Sequence, residues 1–543
     1  MGKKRKSAPC FLAKKWDPLF AQDRKPKEVG PYVQWKREIE AVGDHLNLFF
    51  SGDLEDSGPA SDFDDVKIFC EGEFLETLKS GAGAAGKRRG AILDDRSCTG
   101  STGDRCEAHY NNPLSATELY EHLNKPDKTK RFRNPDGFDA DRRRIYIENL
   151  SPSYIFALSE TAYDHQVPAL RDAIWKHVAL RPSMGVKIPT TGYKVFQFEF
   201  HLPYFAYSTF PGIQNCLRKS GASSQRERYI DLSFLNTQPP QESSKLYAHP
   251  IQCSLTICGT DNRHWIVYAF QDDSEPNNED LTPENLSSEG VHDPDSEDHE
   301  QGEQLNMDPI RGEPDPKELD ANQAIWDPRE YFLIGMEVGM AKPVKAWERL
   351  VWLLERGIEQ HIHQYSSTLG NHSGEPSGPR DKKKALEWTI NARGVLNQLS
   401  SVLTKINRAW EGFFSESDGD IGYFSDILVI RNSSRALLSL NFTKMAFETL
   451  KTLQEKLDGL DKSCGNLAKS LKLQLILESN EVVQRSNEVL RRSNEEARKA
   501  NDLVRESNEV LRKSNEEAKQ ASEAAQHSAA LTISVCSGVS SLI

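Results

Sequence analysis

Apolar residues along this chain recur first at the spacing of strands and later at the spacing of helices. Arg144–Leu150 (RIYIENL) reads as a strand and is punctuated by Ser151-Pro152-Ser153. From Leu158 to Val178 the spacing is helical, with Val167, Leu170, Ile174 and Val178 on one face and Pro168 suited to a first turn. Tyr193–Phe200 (YKVFQFEF) alternates at period two, a strand pattern. Cys253–Cys258 and Trp265–Phe270 are apolar runs around Gly259-Thr260-Asp261-Asn262, which predicts a β-hairpin. Structure resumes near Trp326. Val344–Ile362 then puts Trp347, Leu350, Val351, Leu354 and Ile358 on one helical face. Ala385–Phe414 carries a stripe of Val395, Leu399, Val402, Ile406, Trp410 and Phe413. Asp418-Gly419 marks a turn, and a third helical run starts near Ser434.

The C-terminal third is the most regular part. Leu450, Leu453, Leu457, Leu460, Cys464, Leu467 and Leu471 alternate by three and four, an a/d seam. The phase slips by four residues at Leu471–Leu475, a stutter. A seven-residue unit then repeats as ESNEVVQ, RSNEVLR, RSNEEAR, KANDLVR, ESNEVLR and KSNEEAK. Glu481–Asn501 and Asp502–Ser522 agree at 13 of 21 positions, so a three-heptad block is duplicated. With the recurrent Asn480, Asn487, Asn494, Asn501, Asn508 and Asn515 placed at a, position d holds Val483, Leu490, Ala497, Val504, Leu511, Ala518 and Ala525. The b-position acids Glu481, Glu488, Glu495 and Glu509 precede basic f residues by four, each pair supporting the isolated helix by about 0.2–0.5 kcal/mol. So many Asn make a weak seam. The helices either pair loosely or line a hydrated axis in a higher oligomer, and a solvated single helix is the plain alternative. Some fifty residues of helix reach roughly 75 Å.

These patterns predict an α+β or α/β N-terminal domain, then an α-helical region, then a long C-terminal coiled-coil helix. The expected boundaries are a peripheral segment over 1–60, the α/β domain over 61–271, an acidic insertion over 272–320, helices over 321–449, the stalk over 450–526 and a weakly apolar tail over 527–543. In the peripheral segment Trp16, Phe20, Tyr32 and Trp35 are candidates to dock on a neighbour, and Lys36–Phe50 is a candidate short helix. Residues 79–137, with a Gly/Ala/Lys/Arg patch at Gly81–Gly90, read as mostly loop. The acidic insertion has too few large apolar groups to offset its ordering entropy and reads as disordered. The tail has the length of one membrane span but is rich in Ser and contains His527, which makes it a marginal span.

Hydrophobic residues are 37% of the 543 and charged residues 27%, so the polar excess has to sit in linkers and a solvated helix. A net charge of -13 disfavours general nucleic-acid binding. Nine scattered cysteines without a CxxC pair make a poor disulfide framework and point to a reducing compartment. Met1-Gly2 lacks the Ser or Thr at position 6 that myristoylation needs, and Lys3-Lys4-Arg5-Lys6 is either an import patch or a solvated basic terminus.

No P-loop, GxSxG or HExxH is present. His264-Trp265 with Asp272 has the look of ubiquitin-like-protein proteases, but Cys464 and Cys536 lack the context of their nucleophile, and a hairpin with an ordinary core Trp is expected instead. His361 and His363 are two apart and do not face one way on a helix. Asp164-His165 reads as a helix cap, and Arg142-Arg143-Arg144 as a solvated strand start rather than a phosphate contact. No catalytic residue, metal site or cofactor is expected.

LSETAYDHQVPALRDAIWKH, VKIPTTGYKVFQFEFHLPYFAY, NRHWIVYAFQDD and WDPREYFL, together with the Asn-rich heptad helix, resemble the CorA-like transporter domain of uncharacterised fungal proteins over about residues 60–530. The resemblance implies a cytosolic α/β domain feeding a long helix that leads to the membrane in a ring of subunits. A CorA-type channel has two spans with Gly-Met-Asn after the first. Gly335-Met336-Glu337 and Gly339-Met340-Ala341 are not that motif.

The expected function is therefore a non-catalytic oligomerising protein, scaffold or regulatory, that associates with itself through Leu453, Leu457, Leu460, Leu467 and Leu471, the six recurrent Asn from Asn480 to Asn515, and Val483, Leu490, Val504 and Leu511. The alternatives are a subunit of a membrane cation transporter whose spanning helices are truncated, and a soluble nuclear or cytoplasmic adaptor. Expected partners are a second copy and a membrane or membrane protein. The expected location is intracellular, on the cytoplasmic side.

Overall fold

The computed structural model describes residues 14–24, 31–40, 45–50, 63–96, 113–124, 140–209, 229–235, 246–272, 327–370, 379–415, 417–430 and 433–539. Most of the acidic insertion, Trp326, Lys3–Lys6 and Cys10, Cys98, Cys106 and Cys216 lie outside them. The chain divides into two units, Met1–Gly370 with Ile390–Gly465 and Asn371–Thr389 with Asn466–Ile543.

The first unit opens with helices α1 (Tyr32–Glu40), α2 (His45–Phe50), α3 (Asp64–Phe69), α4 (Leu75–Ser80) and α5 (Ala84–Lys87). Strands β1 (Arg89–Arg96) and β2 (Leu114–Ser115), helix α6 (Ala116–Asn124) and β3 (Arg142–Glu148) follow. Then come α7 (Pro152–Thr161), α8 (Val167–Val178), β4 (Ser183–Lys187), β5 (Phe196–Thr209), β6 (Ile230–Asp231), β7 (Leu246–Gly259) and β8 (Trp265–Gln271). The strands form one mixed sheet in the order β2-β1-β3-β8-β7-β5-β4, with β6 also on β7. Among the described strands only the β3–β8 pairing is parallel.

Strand alternation gives this sheet two different faces. Ala91, Leu93, Ile145, Ile147, Ile266 and Phe270 join one core with α1–α4 and α6–α8. The other face is rich in aromatics and is crossed by α9 (Pro328–Gly370), with Phe198 packed on Phe332; Phe205, of the opposite parity on β5, meets Trp347 farther along α9. A Cβ at Gly335 would sit 2.5 Å from Leu255 Cδ2, and one at Gly339 would sit 3.1 Å from the Phe200 ring. These glycines let α9 lie directly on β5 and β7. Val344 is not a helix start: α9 begins at Pro328 and runs through Pro343.

Helix α10 (Pro379–Phe414) and helix α11 (Ser434–Val539) complete the fold: an N-terminal mixed sheet with helices, then long helices. In the first unit Trp410 of α10 stacks on Phe447 of α11 at 4.3 Å, Arg393 pairs with Asp461 at 2.8 Å, and Lys456 of α11 pairs with Glu355 of α9 at 3.2 Å. In the second unit the start of α10 and the continuation of α11 are joined by the Lys382–Glu478 ion pair.

Several expectations are corrected. The run Arg89–Arg96 is not loop but an inner strand, paired with β3 in the register Asp94↔Arg144 and Asp95↔Arg143. Arg142, Arg143 and Arg144 are accordingly buried rather than solvated. Arg143 donates from Nε and Nη2 to the Asp95 carboxylate at 2.7 and 2.9 Å, and Arg144 pairs with Asp94. Residues 158–178 form two helices, α7 and α8, with Pro168 in the first turn of α8. In the α10 stripe Leu399, Ile406, Trp410 and Phe413 are buried as expected, but Leu396 and Leu403 are buried where Val395 and Val402 are only half-buried. In the N-terminal segment, by contrast, the described candidates Trp16 and Phe20 dock within the chain: Phe20 is buried, and Trp16 packs on Phe196 and Phe198 beneath the Arg329 guanidinium at 4.5 Å.

Candidate functional site

Three places concentrate chemistry. The first is the polar layer between α8 and the sheet. The α8-facing positions of β5 and β7 are Gln197, Glu199, His201, Gln252, Ser254 and Thr256, and all are buried. Lys176 Nζ donates to Glu199 at 2.6 Å, and Ser183 Oγ donates to the same carboxylate at 2.5 Å. Burial opposes the charge on Glu199, yet Lys176 and Lys187 outweigh it and hold the group below the usual carboxylate range. Ser254 Oγ lies 2.9 Å from both His177 Nδ1 and His201 Nδ1, and His177 Nε2 lies 3.2 Å from Asp272. The order serine, histidine, acid is that of a nucleophilic triad. Ser254 and both histidines are at most 2% exposed, so no described surface offers a substrate the Ser254 hydroxyl. Burial also pushes His201 well below its ordinary pKa, so this imidazole is neutral. The cluster links α8 to β5, β7 and the end of β8.

The second place is the β7–β8 turn. The expected hairpin is present, with Gly259 opposite Trp265. Asp261 accepts from the backbone N–H of Arg24, Arg263 and His264, and lies 2.8 Å from His264 Nδ1. On its other side His264 Nε2 is 3.4 Å from Asp141. Burial opposes the imidazolium, but the hydrogen bonds it donates to Asp141 and Asp261 prevail and raise His264 to about 9. Asp23, Asp261 and His264 could bring three metal-ligand atoms within 4.8 Å. A protonated His264 with carboxylates at both ring nitrogens instead makes an ion-pair clasp between this turn and Asp141 at the start of β3, and the Arg24 N–H bond to Asp261 ties the N-terminal segment to it. His264 and Asp272 fall at opposite ends of β8 and do not meet. The other weighed residues also take structural places: Asp164-His165 forms a short turn before α8, and on α9 His361 is buried against Tyr365 while His363 is exposed.

The third place is the face of α11, where the expected site residues fall into two groups. Leu453, Leu457 and Leu460 are buried in the first unit, in the stretch where α11 packs on α9 and α10. Leu467 and Leu471 are buried in the second unit. These five have their partners within the chain. From Asn480 onward the described residues are exposed: Asn480, Val483, Asn487, Leu490, Asn494, Asn501, Val504, Asn508, Leu511 and Asn515 all face solvent. Arg485–Glu481 and Arg492–Glu488 form the expected pairs along the helix, at 3.5 and 3.0 Å.

Helix geometry places the apolar surface of this stretch. With Asn at a, the c positions hold Val482, Val489, Leu503 and Val510, and the d positions Val483, Leu490, Val504 and Leu511. On a helical wheel g lies between c and d, and here g is always Ser or Ala. The apolar arc is thus centred on a small-residue column, and the Asn column lies along its margin. Val482 is 63% and Leu511 57% exposed. Reading outward from the recurrent Asn misses the c column; counting the apolar residues of each heptad finds it.

Among the described residues no helix is long and apolar enough to cross a membrane. No protein-family model matches this chain, and no curated protein matches it.

Proposed function

We propose that this protein is a non-catalytic scaffold or regulatory protein that self-associates through the exposed face of α11 and so gathers several α/β bodies. One observation carries the reading: two adjacent apolar columns, Val482–Val510 and Val483–Leu511, stand open to solvent on an unbroken helix. A solvated single helix needs charge pairs, which this one has, but it has no need of paired valines and leucines repeated in register. Kinship with the cytosolic part of CorA-like transporters is part of the proposal and rests on the sequence phrases alone. An intracellular location belongs to it as well, supported by the free buried thiols of Cys70, Cys253, Cys258 and Cys464.

The test is sedimentation equilibrium of the full chain at micromolar concentration, beside a variant carrying Val483→Ser, Leu490→Ser, Val504→Ser and Leu511→Ser. The expected result is an oligomer for the natural chain and a monomer with unchanged near-ultraviolet dichroism for the variant. A monomeric natural chain overturns the proposal.

A further inference from the structure

We infer that the partner of this face is a second copy of the same helix, running antiparallel, with the two-fold axis beside Glu496 and Ala497. The inference rests on the self-association proposed above and adds its direction and register. In an antiparallel pair, equal columns of the two helices run along the same side, whereas in a parallel in-register pair c faces d and f faces a.

The duplicated block suits the antiparallel arrangement. About the stated axis, the c column pairs Val482 with Val510 and Val489 with Leu503 across the two copies. The d column pairs Val483 with Leu511 and Leu490 with Val504. Each apolar residue of the first block meets one of the second, and the apolar-poor heptad, Glu496-Ala497, falls at the axis. The central g column brings Ser486 against Ser507 and Ser493 against Ala500, small enough for the two backbones to approach closely.

Charge selects between the two directions. The f column borders the c side of the arc. The two blocks differ there, with Arg485 in the first and Glu506 at the equivalent place in the second. Antiparallel pairing sets Arg485 opposite Glu506. At the axis it sets Arg492 opposite Lys499, and the two Glu496 side chains enter among those four bases. Parallel pairing instead faces the f column with the uncharged Asn column and leaves the Arg-to-Glu difference without a counterpart. The Asn residues lie along the opposite, hydrated margin of the antiparallel pair.

The experiment uses full-length chains carrying either Ser486→Cys or Ser507→Cys, each alone and then mixed, oxidised under mild conditions. Cross-linked peptides are identified by mass spectrometry, which separates the new bridges from any made by native cysteines. The expected result is a 486–507 bridge in the mixture and no 486–486 bridge in Ser486→Cys alone. A 486–486 bridge means parallel pairing and overturns the inference while leaving self-association intact. So does an oligomer that yields neither bridge. A monomer in sedimentation overturns both. As an independent measure, Arg485→Glu should weaken association about ten-fold, and Arg485→Glu with Glu506→Arg should restore it. Failure of the double variant to restore association also overturns the antiparallel register.

Discussion

Two stretches of α11 carry the same three-and-four spacing of apolar residues and meet opposite fates. Leu457, in the first, is 0% exposed against the chain's own helices; Leu490, in the second, is 57% exposed. The same contrast separates the body from the stalk in their charges. Arg143 lies buried in a bidentate pair with Asp95, and Arg492 makes a single contact with Glu488 on an open helix. Periodicity shows that a helix has a face to bury; it does not show which surface will cover it. In the body the covering surface comes from nearby in the same chain, and in the stalk the chain supplies none among its described residues.

The largest expected effect tests the charges. Replacing Arg143 with Ala strands the Asp95 carboxylate in the sheet and should destabilise the body by about 4 kcal/mol. Arg492→Ala removes an exposed pair and should cost about 0.3 kcal/mol. Urea unfolding followed by tryptophan fluorescence reads the first, because Trp175, Trp265, Trp347 and Trp410 lie in the first unit, and far-ultraviolet dichroism of the stalk helix reads the second. Equal effects would erase the distinction between the two regions.

The leucines come next. Leu457→Ala opens a cavity among α9, α10 and α11 and should cost about 3 kcal/mol in the same unfolding experiment. Leu490→Ala should leave that transition unchanged and weaken self-association instead. A drop in body stability from Leu490→Ala would show that the stalk face is already covered within the chain.

A third test uses pH. His264 is raised from 6.5 to about 9 by Asp141 and Asp261, so its clasp contributes fully below about pH 6.5 and is lost as pH rises through 9. The body should lose on the order of 2 kcal/mol between pH 6 and pH 10, and His264→Asn should flatten most of that slope. The stalk has no comparable buried titrating pair, so self-association should not follow this profile. If oligomer and body lose stability together over that range, the two regions are not independent in the way their burial implies.

How much of this was legible from sequence follows from the kind of signal each element carries. The β7–β8 hairpin could be read because a Gly-Thr-Asp-Asn turn separates two apolar runs. The β5 pattern could be read because its alternation is aromatic. β1 was missed because Leu93-Asp94-Asp95-Arg96 looks like loop until Arg143 and Arg144 stand opposite the two acids. The first four turns of α9 were missed because Gly335, Gly339 and Pro343 look like helix breakers, and only the sheet beneath explains the glycines. For the stalk, the seven-residue period was plain. Its contact face was obscured by the recurrent Asn, which draws the eye to the a column although the apolar arc is centred on g.

That difference in centring leads to the smallest effect and the sharpest discrimination. If the Asn column formed the seam, Asn487 and Asn508 would be buried polar groups that weaken the pairing in return for register. Changing both to Ala would then tighten self-association by more than about ten-fold. If the arc centred on Ser486, Ser493, Ala500 and Ser507 is the contact, both Asn stay hydrated, and the same double variant should alter the association constant by less than about threefold. The preference of Ala over Asn for helix acts in both cases, but on the monomer and the oligomer alike, because the stalk is helical before it pairs. It therefore largely cancels from the association constant. Sedimentation of the double variant thus distinguishes a seam of asparagines from a margin of asparagines, even though the residues exchanged are the same.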